Sequence, residues 1–320
     1  MLYSKLTDPR APRKVESKSN SQSDSNAMLE WLEISPELTL VATPTRAYLH
    51  APSGFGVNPF HPPMRGEGSP ETTHWLFEAA IAAARQGCAR TTAAAPDARP
   101  VAPLSVGRWA YRLTGYFHST HATQRLLPLV AQRFAKAGRH ALAHWAEQKI
   151  TEEAGHDELA LRDLSELGYQ AQATVRAFVP PRAAAWVALF EQLAAAEDPV
   201  GCVGYAHALE RLALLRGPAE VFAIERDLPP GVNATRCLRV HSALGSDAHH
   251  ARTNVVTTSA LSAGERRAVI RACYLTARVY FDPALDEDFR SAGLEAKVAT
   301  FRAPARSSRE RANDNANPTR

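Results

Sequence analysis

The sequence predicts an all-α protein of seven to eight helices. From residue 69 almost to residue 282, apolar residues recur at the three- and four-residue spacing of amphipathic helices. Residues that commonly start or stop helices bound these segments, and no strand-rich region lies between them. Apolar residues make up 45% of the chain, which is enough for a full core. We therefore expect one helical domain over residues 69–302.

Local signals place the ends of the predicted helices. Ser69 followed by Pro70 starts the first helix, which runs to about Gln86. Gly168 ends a long helix over residues 139–167. Ser262-Ala263-Gly264-Glu265 is a capping box before a last long helix that reaches Phe281. The remaining predicted helices cover residues 105–136, 182–196, 199–216, 218–227 and 233–256.

The two ends of the chain and the segment before the first helix lack this pattern. Residues 1–27 and 303–320 are rich in Ser, Asn, Arg and Pro, so we expect disordered tails, the second of them basic. Residues 28–68 are expected to be irregular, with one short extended segment in ELTLVATPTRAYL.

Composition argues against several functional classes. The formal net charge of +4 comes from the basic tails, and the helical body shows no basic footprint for nucleic acid. No apolar run is long enough to span a membrane, and the first residues lack the apolar segment of a secretory signal. The four cysteines form no CxxC pair. We expect a cytoplasmic protein with no nucleic-acid or membrane partner.

The segment LAHWAEQKITEEAGHDELALRDLSELG, residues 142–168, places ionisable side chains on an apolar helix face. At helical spacing, Lys149, Glu153 and His156 interrupt a stripe of alanine and leucine. A charged group on a core-facing stripe costs several kcal/mol unless something compensates for it. A metal ion is a common compensation when Glu and His stand three residues apart on a bundle helix. The alternative is a surface helix with an acidic flank, to which Glu152 also belongs.

Two later helices carry similar interruptions. Glu210 lies at the centre of an apolar stripe, where the alternative is a pair with Arg211 or Arg216. The run HSALGSDAHH contains His241, Asp247, His249 and His250. Asp247 and His250 share a face and His249 points elsewhere, while a break at Gly245-Ser246 would bring His241 to the same side.

Together the three segments offer a mixed set of carboxylate and imidazole ligands. Such a set suits iron or manganese better than calcium or structural zinc. Facing helices of a bundle build dinuclear carboxylate sites in this way. The other Glu-x-x-His pair, Glu71 and His74, falls in a first helical turn outside this pattern, so we do not include it.

These segments resemble the haem-oxygenase-like di-iron oxidases, a family of iron-containing redox enzymes. EEAGHDELALRDLSELG is similar to the Glu/His helix of that family, ALERL to the helix with a lone Glu, and HSALGSDAHH to the final ligand helix. The resemblance covers roughly residues 70–282. It implies a haem-oxygenase-like helical bundle, two iron(II) ions, reaction with O2, and a small-molecule substrate. A homodimer is a further expectation.

Carried over to this chain, the resemblance implies specific roles. Glu153, His156 and Glu210 would be catalytic metal ligands, with Glu210 bridging or capping. The rest of the ligand set would be His241, Asp247 and His250, with Glu152, His118 and His121 as further candidates.

Two positions depart from the family pattern. Ala243 stands where the family has a histidine, and helix 105–136 lacks the family's glutamate. Its only donors near the middle are His118, His121 and Gln124, so we expect one of these histidines near Glu153 and one weakly held ion.

Three alternatives remain open at the level of sequence. A thiaminase-like hydrolase would use Cys202 with Tyr205 and Glu210. A haem oxygenase would need a proximal ligand such as His74, His118 or His121. The third alternative is a non-enzymatic helical binding protein.

Overall fold

The computed structural model describes residues 30–35, 38–42, 47–50, 69–93, 104–215, 217–242, 247–286 and 293–304. The all-α prediction for the main body is confirmed. The longer helices are α1 Pro70–Ala93, α2 Val106–Lys136, α3 His140–Glu153, α4 His156–Glu166, α6 Pro181–Ala195, α7 Gly201–Ala213, α8 Pro218–Asp227, α10 Asp247–Ser259 and α11 Ala263–Phe281. The shorter ones are α5 Ala171–Ala177, α9 Arg236–Val240 and α12 Leu294–Ala299, with a 3-10 turn at Pro283–Leu285.

A small antiparallel sheet precedes the helices. Its strands are β1 Glu30–Ser35, β2 Leu38–Ala42 and β3 Ala47–His50, in the order β1-β2-β3. The extended segment expected in ELTLVATPTRAYL is found as two strands, β2 and β3, whereas the irregular structure expected over residues 30–35 is wrong because β1 lies there. Leu40 is fully buried and joins the core around α1, so the sheet closes one side of the helical body.

Helix α2 passes through both hydrophobic cores. Its first half contributes Trp109 and Leu113 to a core with α4, α5, α8, α9 and α12. Its second half contributes Leu126 and Phe134 to a larger core with α1, α3, α6, α7, α10 and α11. The middle of α2 therefore lies between the two cores, beside the junction of α3 and α4.

Several predicted helix ends are found where expected. Ser105 caps α2, and Ser262 with Glu265 forms a capping box at the start of α11. Gly168 follows α4 with φ +82, the left-handed conformation that glycine adopts readily. Pro128 lies inside α2.

Two predicted helices are each divided. The helix expected over 139–167 breaks at Ala154 and Gly155, because Ala154 leaves the helical conformation with ψ 123 and Gly155 has φ +78. The helix expected over 233–256 ends at Val240 and resumes at Asp247. These two divisions, together with the unpredicted short helices α5 and α12, explain why the described residues contain more helices than the seven or eight predicted.

Helices α7 and α11 pack closely through a glycine. A Cβ on Gly204 would lie 1.9 Å from the carbonyl oxygen of Val269. Only glycine allows this approach, which fixes the position of α7 and of the residues it carries.

Within the described part of the chain, no helix combines the length and apolar character needed to cross a membrane. The predicted tails fall outside the described residues, apart from Ala303 and Pro304. Ala303 is ordered by its backbone N–H, which donates to the carbonyl of Gly168 at 2.8 Å.

Candidate metal centre

The break between α3 and α4 brings Glu153 and His156 together. Glu153 is the last residue of α3 and His156 the first of α4, with the left-handed Gly155 between them. Nδ1 of His156 donates to Oε2 of Glu153 over 3.0 Å. Both side chains are about 85% buried, so this pair is largely shielded from solvent.

His241 joins this pair from the segment that follows α9. It follows α9 directly, and its ring meets the ring of His156 edge-on, with centroids 4.7 Å apart. The fully buried carboxylate of Asp163 in α4 holds the start of α9, accepting from the backbone N–H of Cys237 at 3.0 Å and from Arg236 at 2.9 Å. These bonds position His241 beside α4.

Glu153, His156 and His241 each offer a ligand atom, and the three atoms lie within 4.8 Å of one another. Metal–ligand bonds of about 2.1 Å separate neighbouring ligand atoms by about 3.0 Å in an octahedron and opposite ones by about 4.2 Å. The 4.8 Å limit lies somewhat above these values, so the three side chains would have to move closer together to bind one ion. The residues present therefore fit a divalent metal ion.

The carboxylate of Glu153 is held in its charged form. Burial opposes its ionisation, but the hydrogen bond from His156 and the positive potential of His241, His156 and Lys149 outweigh burial and lower the pKa of Glu153. A metal ion would consequently meet a carboxylate that is already deprotonated at neutral pH.

Glu210 is not part of this group. Its Oε1 accepts from the ammonium of Lys149 at 2.7 Å, and its Oε2 accepts from Nδ2 of Asn254 at 2.7 Å. The same ammonium donates to Glu152 at 2.6 Å, and Asn254 accepts from Trp145. This arrangement differs from the expected role of Glu210 as a metal ligand, because a lysine of the chain occupies the space next to its carboxylate.

The two histidines of α10 lie on different faces of the helix, as their spacing predicts. His250 is buried, and its Nε2 lies 3.5 Å from Oε2 of Glu152. His249 is exposed, as predicted. Burial and the nearby Lys149 lower the pKa of His250, although Glu152 and Glu153 act in the opposite direction. His250 thus belongs with Glu152 and Lys149, and the side chain of Asp247 lies outside the described residues.

The histidines of α2 do not enter the group of ligands. Nε2 of His118 lies 2.9 Å from the carbonyl oxygen of Val175 and 3.0 Å from that of Phe178. His121 contacts Asp157 at 2.9 Å, but its side chain is 57% exposed. The expectation that one of them would replace a missing ligand near Glu153 is therefore wrong for the described structure.

The middle of α2 instead supports the junction between α3 and α4. Nε2 of Gln124 donates to Oδ1 of Asp157 at 2.7 Å and to the carbonyl of Glu153 at 3.3 Å. Asp157 is buried; burial raises its pKa, but bonds from His121 and Gln124 outweigh this and lower it. Such outer contacts commonly fix the orientation of metal ligands.

A cavity of about 120 Å³ adjoins the centre. Glu153, His241, Lys149 and Glu210 supply the ionisable part of its wall. Most of the rest is aromatic or aliphatic: Tyr116, Leu127, Trp186, Phe190, Leu209 and Leu212. The hydroxyls of Ser119, Thr120 and Thr123 all donate to carbonyls of their own helix. The cavity therefore favours a small, largely apolar molecule.

Unlike the serine and threonine hydroxyls of the cavity wall, the hydroxyl of Tyr205 does not donate to a carbonyl of its own helix. The ring of Tyr205 stacks on Phe190 at 4.4 Å, and its buried hydroxyl has no hydrogen-bond partner among the described residues. Burial raises the pKa of Tyr205, so the hydroxyl keeps its proton.

The described residues give little support to the alternative roles that the sequence left open for Cys202, His74 and Arg211. Cys202 is buried, and burial strongly raises the pKa of its thiol, which opposes formation of a nucleophilic thiolate. Glu71 and His74 are both exposed on α1. Arg211 pairs with Glu78, its Nε donating to Oε1 at 2.7 Å.

Sequence reasoning did not assign roles to Lys149, Asn254 and Asp157, and it named Gln124 only as a possible donor in helix 105–136. Lys149 gave the clearest signal, since it lies on a buried stripe with Glu152 three residues later, the spacing of an intrahelical ion pair. The partner on α7 and the bond to Asn254 join distant segments, which one helix pattern cannot reveal.

No family model matches the chain, and neither does any curated protein sequence. Among solved structures, it is similar to a domain of unknown function with a heme oxygenase-like fold from Shewanella denitrificans OS217. The identity is 17% and the TM-score 0.49, over 72% of this chain and 95% of that chain.

Proposed function

We propose that this protein is an iron(II)-dependent oxidoreductase that uses O2 to oxidise a small, largely apolar molecule. One observation carries the proposal: a carboxylate and two imidazoles converge beside an apolar cavity. Two histidines and one carboxylate, with open positions left for substrate and O2, are the ligand set of many non-haem iron(II) oxygenases. When bound, the iron would supply the redox chemistry that side chains lack.

The residues of the chain would hold and orient the reactants. Glu153 would contribute a negative charge that favours binding of a cation, and His156 and His241 would each contribute a ring nitrogen as a ligand. The apolar walls limit the entry of water next to the centre.

The hydroxyl of Tyr205 would donate a hydrogen bond to an oxygen or nitrogen atom of the substrate. Support comes from its burial in the cavity wall without another partner among the described residues. A cavity of this size is of the order of the roughly 150 Å³ engineered cavity that accepts benzene, which points to a substrate, or substrate end, of similar bulk.

Iron-dependent consumption of O2 tests the function. The protein is loaded with iron(II) anaerobically, exposed to O2, and followed with an oxygen electrode in the presence of small apolar amines and acids. We expect consumption above that of free iron in the wild type, and its loss in Glu153→Gln and His241→Ala. The matched control is His249→Ala, which removes an exposed imidazole from α10 and should leave the rate unchanged. Equal rates in all four proteins would contradict the proposal.

A further inference from the structure

Lys149 is one of the most deeply buried charged residues described, with 2% of its side chain exposed. Its ammonium contacts Glu152 on its own helix at 2.6 Å and Glu210 on α7 at 2.7 Å. Burial opposes the charge of Lys149, but the two carboxylates more than compensate and raise its pKa. The ammonium is thus a permanent cation at neutral pH.

The groups around this ammonium are of the kind that bind metal ions. Two carboxylates, Glu152 and Glu210, lie against it, and the imidazole of His250 lies 3.5 Å from Glu152. Asn254 and Trp145 fix the orientation of Glu210 through a chain of hydrogen bonds. A metal ion and the ammonium cannot share this space, because both would have to contact Oε1 of Glu210.

The charges support a single metal ion. Glu152, Glu153 and Glu210 with Lys149 leave two net negative charges among these described side chains. One divalent ion at Glu153, His156 and His241 would neutralise them. Without Lys149 the same groups would carry three net negative charges, and a buried carboxylate without a cation is strongly unfavourable.

We infer that the ammonium of Lys149 takes the place of a second metal ion, so that this chain binds one divalent ion although Glu152 and Glu210 both contact the position of the ammonium and His250 lies beside Glu152. Lys149 thereby determines the metal stoichiometry of the centre. The inference rests on the proposed function only for the ion at Glu153, His156 and His241. The position occupied by the ammonium is defined by other side chains, Glu152 and Glu210.

The test is the number of manganese(II) ions bound per chain, measured by calorimetric titration and by elemental analysis after desalting. Manganese(II) is chosen because it accepts oxygen and nitrogen ligands, and binding is read without any catalytic turnover. We expect one ion in the wild type, two in Lys149→Met, which removes the charge and keeps most of the side-chain volume, and one in Lys149→Met/Glu210→Gln.

Thermal unfolding provides a second measurement if Lys149→Met is poorly folded without metal. Manganese(II) should then raise its unfolding temperature more than that of the wild type or of the double variant, because the ion replaces the lost ammonium. The inference is overturned if manganese(II) does not stabilise Lys149→Met, if Lys149→Met binds no more ions than the wild type, or if the wild type binds two ions.

The result also separates this inference from the proposed function. No ion in the wild type, with one ion in Lys149→Met that is lost when Glu210 becomes Gln, would support the role of Lys149 and contradict the metal centre at Glu153. One ion in both the wild type and Lys149→Met would support the metal centre at Glu153 and contradict the role of Lys149.

Discussion

Replacing Gly155 by alanine tests whether the break between α3 and α4 builds the metal centre. Gly155 has φ +78, and a Cβ at this position would meet nothing within 4 Å. The cost of the substitution is therefore the backbone strain of an L-residue in the left-handed region, about 1 kcal/mol. For a domain of this size, that corresponds to a decrease in unfolding temperature of about 2–4 °C.

Gly168 offers a matched control. It has φ +82, follows the far end of α4, and would likewise place an added Cβ where nothing lies within 4 Å. Gly168→Ala should lower the unfolding temperature by a similar amount. Only Gly155 joins two ligands, so only Gly155→Ala should weaken metal binding, by up to about fivefold if the metal must restore the strained conformation.

The assays are thermal unfolding without metal and calorimetric titration with manganese(II). An unchanged unfolding temperature in Gly155→Ala would show that this position does not need glycine. Equal loss of metal affinity in the two variants would show that the position of the break, next to Glu153 and His156, is irrelevant to the site. Either result would refute the reasoning.

Three further predictions concern the surroundings of the centre. Tyr205→Phe removes a buried hydroxyl that has no hydrogen-bond partner among the described residues, so in denaturant unfolding the metal-free variant should be as stable as the wild type or more stable by about 1 kcal/mol. The same variant should have a higher KM for substrate, and a large loss of stability would contradict the prediction. Gly204→Ala should destabilise by about 1–3 kcal/mol or more, because its Cβ would overlap the carbonyl of Val269, and a neutral result in the same assay would argue against the close packing of α7 and α11. Burial raises the pKa of Glu225, but hydrogen bonds from Arg239 and Thr235 outweigh burial and lower it. This carboxylate therefore stabilises the fold above about pH 4.3, and its contribution is lost as the pH falls through the folded pKa. Glu225→Gln should lose less stability than the wild type on acidification, and an acid unfolding curve identical to that of the wild type would contradict this prediction.

Much of the helical framework could be predicted because its signals are local. Ser262 and Glu265 are three residues apart, and the capping box they form depends only on their own turn. Glu153 and His156 were identified because ionisable residues on an apolar stripe require compensation. The break at Gly155 was missed, since a single glycine inside a helical pattern is compatible with both a continuous and a broken helix.

The partners of the ionisable residues could not be predicted, because they come from distant segments. Glu210 was correctly placed in the core, but its choice between a metal and Lys149 depends on how α3 and α7 are positioned. His241 reaches His156 only because Asp163 holds the start of α9 against α4. An extended segment was predicted where β2 and most of β3 lie, but β1 and the pairing of the three strands escaped prediction because the strands are short and only weakly alternating.

Anomalous diffraction from crystals soaked anaerobically in iron(II), recorded at the iron absorption edge, tests the metal centre most directly. We predict a single strong peak per chain, within about 2.0–2.2 Å of ligand atoms from Glu153, His156 and His241. A peak between Glu152, Glu210 and His250, or no peak near Glu153, would contradict this account.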